Sequence, residues 1–179
     1  MHKYNLKKYY FISECDTNLI SKLNKSINII YRNYNDKVDV YKILKLKDYC
    51  KKKGNKLFLS NNTKLAIKLK LDGSYLPSFN KNFNHLAYKL RKNFKFIGSA
   101  HNLKEIRIKE KQRVELIFLS SLFKKNKNHL GKNKYKLLTK LSRTQFIALG
   151  GINSQNIKLL NFVNVIGYAG KSIFKKKGP

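Results

Sequence analysis

Tryptophan is absent from this chain, proline and cysteine occur twice each, and only 9 Asp and Glu stand against 40 Lys and Arg in 179 residues. Each shortage excludes something. Neither Cys15 nor Cys50 sits in a CxxC or a Cys/His cluster, so reduced, intracellular thiols are expected. No apolar run approaches the ~18 residues of a membrane-spanning helix. Residues 1–11 interleave lysine with aromatics and have no apolar h-region, so no signal peptide is predicted and a cytoplasmic location is expected. No proline-rich or glycine-rich linker interrupts the chain. One domain over residues 1–179 is expected, with a solvated basic tail at 175–179.

Hydrophobic residues make up 42% of the chain, which fits a globular core rather than a disordered polyelectrolyte. The formal net charge of +31 is spread along the whole length. Two readings stay open. The abundant Lys, Asn, Ile, Tyr and Phe share A/T-rich codons, which points to compositional drift; alternatively, an anionic partner selects the charge. In either case the field attracts anions at low salt. There is no nucleic-acid recognition module, and the aromatics fall mostly at core spacings rather than on a stacking platform. A nucleic-acid partner is therefore not expected, though the charge permits one, and neither is a membrane partner.

Short β-branched or aromatic runs alternate with longer amphipathic ones. Strands are predicted at 9–13, 27–32, 56–60, 73–76, 95–100, 115–119, 144–149 and 164–167. Between them, helical patterns run through Leu19 and Leu23, from Asp36 to a stop at Gly54 with Val40, Ile43, Leu44 and Cys50 apolar, and through Leu65, Ala66 and Leu69. Others cover 83–91, run through Leu103 and Ile106, cover 134–141, and begin at a Ser154 cap to carry Ile157 and Leu160, with a stub at the end. Strict β-then-α order implies a parallel sheet. Eight such units, without a dinucleotide fingerprint after the first strand, predict a compact closed (β/α)8 barrel, a TIM barrel. The chain is short for one, since about 200 residues is the usual lower limit.

Barrels of this kind carry their functional groups at the C-terminal ends of the strands, often with a phosphate between the last two loops. Gly150 and Gly151 follow the seventh predicted strand, where glycine lets backbone N–H groups approach an anion. Gly170, Lys171 and Ser172 follow the eighth and add N–H donors, an ammonium and a hydroxyl. Together they form the expected phosphate cradle. Arg32, after the second strand, could grip an anion in a bidentate way or pair with an acid. Cys15 lies just past the first strand, and a buried, inert thiol is expected there.

The segments Leu65 to Leu76 with its Asp72-Gly73, Phe96 to His101 (FIGSAH) and Phe146 to Asn153 (FIALGGIN) occur in this order. In them the chain resembles the thiamine phosphate synthase and thiazole tautomerase superfamily over nearly its full length. The resemblance implies thiamine phosphate synthesis from a thiazole phosphate and a pyrimidine diphosphate, with Mg²⁺ held by carboxylates. It also implies departures. The family's metal-binding aspartates align with Asn61 and Asn80, so metal affinity should be weak and no cofactor is assigned. Its pyrophosphate loop aligns with 120–127, where the threonines are gone and Lys124, Lys125 and Lys127 stand. Of its glutamine, arginine and lysine after the second strand, only Arg32 remains. Ser99 and His101 do match, and the tautomerase branch uses a histidine at the latter position for proton transfer. A hydrogen-bonded histidine that merely orients a loop is the other reading of His101. A metal-independent tautomerase-like enzyme and a non-catalytic phosphate-ligand-binding relative are the alternatives to a synthase.

Overall fold

A computed structural model describes residues 6–34 and 39–174. Eight parallel strands close into a barrel in chain order: β1 (Lys7–Ile12), β2 (Ile27–Tyr31), β3 (Leu57–Ser60), β4 (Gly73–Leu76), β5 (Lys95–Ala100), β6 (Leu116–Ser120), β7 (Gln145–Leu149) and β8 (Gly167–Gly170), the last pairing with β1. The connections carry α1 (Thr17–Ser21), α2 (Val40–Lys53), α3 (Thr63–Lys68), α4 (Leu103–Lys111) and α5 (Gly131–Lys140). Among the described residues, only 3₁₀ turns follow β4, β7 and β8: Asn84–Ala87, Ile157–Phe162 and Ser172–Phe174. Four- to six-residue strands and these truncated connections let so short a chain close an eight-fold barrel.

The period of two along each strand sorts side chains into two cores. Tyr10, Ile12, Ile29 and Leu59 point outward to the helices, while Tyr9, Phe11, Ile30 and Phe58 point inward. The interior is aromatic where such barrels usually hold branched aliphatics. Tyr9 meets Phe118 edge-on at 4.9 Å, Phe11 meets Tyr75 at 5.5 Å and Tyr75 meets Phe118 at 5.6 Å between ring centroids. Each such contact adds about 0.5–1.5 kcal/mol beyond the burial itself. Asp16, Asp39, Asn62 and Asn102 each accept a hydrogen bond from the N–H three residues on, which fixes where four of the helices begin and how their preceding loops leave the barrel. Gly54, with φ +75°, ends α2 as expected.

Several expectations are corrected. The predicted helix start at Asp36 lies outside the described residues; the described helix is capped by Asp39. Its buried face is Ile43, Leu46 and Cys50, with Val40 and Leu44 exposed. The helix predicted over 83–91 is only the turn Asn84–Ala87, because His85 alone of that run is buried and Phe83, Leu86, Tyr88 and Leu90 face solvent. Ser154 caps no helix among the described residues. Asn153 does that work, its Oδ1 accepting from the N–H groups of Gln155 and Asn156 at 3.0 Å. The eighth strand sits three residues later than predicted. The β-branched pair Val165 and Ile166 drew the prediction, but it is Gly167 that pairs with β1, at a spot where a Cβ would lie 2.2 Å from the Lys7 carbonyl oxygen. Gly170 is therefore the last residue of the strand rather than part of the segment that follows it. The basic tail at 175–179 lies outside the described residues. No helix among the described residues is long and apolar enough to cross a membrane.

Candidate functional site

The loops after β6, β7 and β8 meet at one side of the barrel mouth. Gly150 and Gly151 take φ of +100° and +78°, left-handed conformations that side chains resist. Both press on the β6 loop. A Cβ at Gly150 would sit 2.4 Å from Ser121 Oγ, and one at Gly151 would sit 2.6 Å from the Lys124 nitrogen. The Gly150 carbonyl accepts from the Phe123 N–H at 2.9 Å and the Lys124 N–H at 3.2 Å. Behind the turn, Asn156 Nδ2 donates to the Gly151 carbonyl at 2.8 Å, and Asn156 Oδ1 accepts from the Asn153 N–H. Both carbonyls thus face protein donors, while the N–H groups of Gly151 and Ile152 have no acceptor among the described residues. Gly170, at the end of β8, lies beside this turn, with its Cβ position 4.0 Å from the Ile152 carbonyl oxygen. Lys171 is exposed there, and the backbone of Ser172 opens the final 3₁₀ turn. Gly150, Gly151 and Gly170 of the predicted cradle are therefore brought together, with Lys171 and the backbone of Ser172 following Gly170 in the chain. Asn156, which with Asn153 buttresses them, went unassigned in the sequence; its spacing from Asn153 around a turn was the available signal.

The lysines expected to hold pyrophosphate lie on the β6 loop. Lys124 touches the cradle through its backbone, and Lys124, Lys125 and Lys127 are all exposed, with no carboxylate partner among the described residues.

Across the mouth, the inward side chains at the strand ends are polar. Ser99 is buried within hydrogen-bonding reach of the Tyr75 hydroxyl, whose own burial pushes that phenol far above its ordinary range. Arg32 pairs with no acid among the described residues; its guanidinium carbon stands 4.9 Å over the Phe11 ring, a cation–π contact. Tyr34 shares a 2.6 Å hydrogen bond with Ser60 Oγ. Arg32, Tyr75 and Ser99 thus belong to one cluster on the barrel floor.

His101 lies apart from that hydrogen-bonded cluster, at the start of the loop after β5. Its Nδ1 is 2.9 Å from Glu105 Oε2, which also accepts from the His101 backbone N–H at 2.8 Å. A carboxylate on Nδ1 favours the tautomer whose Nε2 is an acceptor. The ring is half-buried and oriented, an arrangement fit for either reading of this residue. Cys15 is half-buried rather than buried, and burial raises its thiol pKa, the opposite of an activated nucleophile.

Asn61 and Asn80 bond to each other: Asn80 Nδ2 donates to Asn61 Oδ1 at 2.7 Å. Asn80 Oδ1 in turn accepts from the Asn82 N–H at 3.2 Å and from Gln112 Nε2 at 3.3 Å. Both amide oxygens are engaged by donors and neither carries charge. These residues do not fit a divalent cation, which wants several unengaged, preferably anionic oxygens. Beneath them lies a polar knot that sequence reasoning missed. Lys109, on α4, is 0% exposed and donates to the carbonyls of Pro77 and Asn80 and to Gln112 Oε1, each at 2.8 Å. Gln112 Nε2 donates to the Asn80 and Asn82 carbonyls, and its own carbonyl contacts His85 Nε2 at 2.8 Å. The loop after β4 is thus tied to α4 from below.

A closed parallel barrel with its glycine turns and polar side chains gathered at the strand C-termini is a (β/α)8 barrel. Residues 15–173 match the family described as thiamine monophosphate synthase, and the chain belongs to it. It is 31% identical over 163 residues to the thiamine-phosphate synthase of Prochlorococcus marinus, covering 84% of this chain and 46% of that protein. The chain thus spans about half the length of the curated relative it matches. Among solved structures, thiamine phosphate pyrophosphorylase from Pyrococcus furiosus superposes with a TM-score of 0.74 at 17% identity, over 95% of this chain and 89% of that one. FabK from Thermotoga maritima superposes nearly as well, with a TM-score of 0.72 at 10% identity over 96% and 60%. Likenesses this distant in sequence establish the barrel alone.

Proposed function

We propose that this cytoplasmic protein works in thiamine biosynthesis, binding a phosphorylated heterocycle with its phosphate on the Gly150–Gly151 turn. The observation that carries this reading is the turn itself. Its carbonyls are tied back to Phe123, Lys124 and Asn156, so the neighbouring N–H groups remain to serve an anion next to Lys171. A synthase joins the two substrates by forming a C–N bond as pyrophosphate leaves. In this chain the exposed ammonium groups of Lys124, Lys125 and Lys127 supply positive charge near the cradle, and Asn61 and Asn80 supply no metal site. Arg32, fixed over Phe11, and Ser99 line the floor on which the second substrate would lie. A thermal-shift series tests this. Thiazole phosphate and thiamine monophosphate at 100 times their Kd should stabilise by ~2.7 kcal/mol, or roughly 5–10 °C at this chain length. Mg²⁺ should change neither shift. No shift with either ligand or with pyrimidine diphosphate would overturn the reading.

One observation favours a second reading, a metal-free isomerase of thiazole phosphate. Glu105 holds His101 by Nδ1, leaving Nε2 to take a proton. His101→Ala should then abolish isomerisation while the ligand-induced thermal shift persists. Unchanged turnover in that variant would leave His101 with loop orientation only.

A further inference from the structure

Two aromatic rings stand at the barrel mouth with no role in the core. Tyr34 follows β2 and Phe79 follows β4, and they meet edge-on with centroids 5.5 Å apart. Phe79 is 60% exposed and Tyr34 47%. They stand apart from the aromatics that fall at core spacings. A loose loop would fold such a phenyl ring away from water, but this loop is fixed. Lys109 and Gln112 hold the carbonyls of Pro77, Asn80 and Asn82 on either side of Phe79. Tyr34 is fixed too, through Ser60 Oγ at the end of β3. Ser60 is in register with Tyr75, whose ring lies in the barrel interior, so the Tyr34 hydroxyl reaches over the mouth. An edge-on pair spends the edge of one ring and leaves an aromatic face open to a further flat partner.

We propose that Tyr34 and Phe79 form a stacking wall for the flat nitrogen heterocycle of a ligand whose phosphate rests on the Gly150–Gly151 turn. This rests on the phosphate reading above. In a closed barrel of eight strands, β3 and β7 are four positions apart, so the wall and the cradle face each other across the mouth. The wall selects for an aromatic ring: a sugar phosphate or an acyclic phosphate offers the cradle its anion but gives the wall nothing to stack on.

The absence of native tryptophan makes the test direct, since Phe79→Trp installs a single fluorescent reporter. Thiamine monophosphate should quench it saturably, whereas ribose 5-phosphate and inorganic phosphate should not. Phe79→Ala, a change at an exposed position, should weaken thiamine monophosphate by about tenfold, the usual weight of one stacked ring, and leave the thermal shift from inorganic phosphate as it is in the native protein. Equal affinity in Phe79→Ala, with no quenching in Phe79→Trp, would overturn the wall and leave the cradle standing. A native protein that shows no thermal shift with inorganic phosphate or thiamine monophosphate would overturn both together.

Discussion

Lys109→Met is expected to cost about 3 kcal/mol, lowering the melting temperature by roughly 6–12 °C at this chain length. Methionine fills nearly the same volume, so the loss is not a cavity. What disappears is the donor to three oxygens, those of Pro77, Asn80 and the Gln112 side chain. Each buried acceptor left without a donor costs about 1–3 kcal/mol, and removing a buried charge returns part of that sum. Asn80 keeps one donor in Gln112 Nε2, which limits the damage there. The pH dependence identifies the cause. Burial pushes the Lys109 ammonium from 10.5 down to about 8, with Glu105 opposing weakly from nearby. Between those values the unfolded chain still holds the proton that the folded one has released, so the unfolded state binds more protons and stability rises with pH. The other lysines are common to both proteins. The stability difference between native protein and variant should therefore widen from pH 8 to 10.5, in thermal melts taken at unit steps. A constant difference would show that Lys109 titrates like a surface lysine.

Lys109 also shows where sequence reading stops. A lysine in a chain with 40 Lys and Arg reads as surface. Its spacing was the signal: Ile106, Lys109 and Gln112 lie three apart, one stripe along the helix face that is buried. Strands were legible because alternation of period two survives even in short runs, as with Tyr9 and Phe11 inward and Tyr10 and Ile12 outward. Helices were less so. The apolar residues at 83, 86 and 90 repeat at helical spacing yet cover nothing, because the chain crosses that corner of the barrel in a single 3₁₀ turn. Pairing partners of β8 are distant in sequence, and the close approach of Gly167 to Lys7 has no local mark. At the site, the glycine doublet announced itself, since few other needs place two adjacent glycines after a strand. The replacement of carboxylates by Asn61 and Asn80 was visible as composition, but their direct bond to one another was not. Tyr34 and Phe79 are 45 positions apart, and only the closure of the barrel puts them together.

Gly151→Ala is expected to abolish the thermal shift produced by thiamine monophosphate and by inorganic phosphate. Two costs act at that position. The left-handed conformation, φ +78°, penalises any L side chain by about 1–2 kcal/mol. The new Cβ also lands 2.6 Å from the Lys124 nitrogen and 3.1 Å from its Cα. Those are backbone-connected atoms, not the end of a flexible side chain, so the turn and the β6 loop must separate. That movement breaks the bond from the Lys124 N–H to the Gly150 carbonyl and turns the neighbouring N–H groups away from a common point. Gly54→Ala isolates the first cost. Gly54 has φ +75° but no atom within 4 Å of its Cβ position, and it precedes β3 at the opposite end of the barrel. It should destabilise the fold by the conformational cost alone and keep the full ligand shift. If Gly151→Ala melts lower than Gly54→Ala and no longer responds to phosphate, the second cost has acted on the binding site itself. If both variants respond like the native protein, the anion binds elsewhere on this strongly cationic surface and the cradle is only a tight turn.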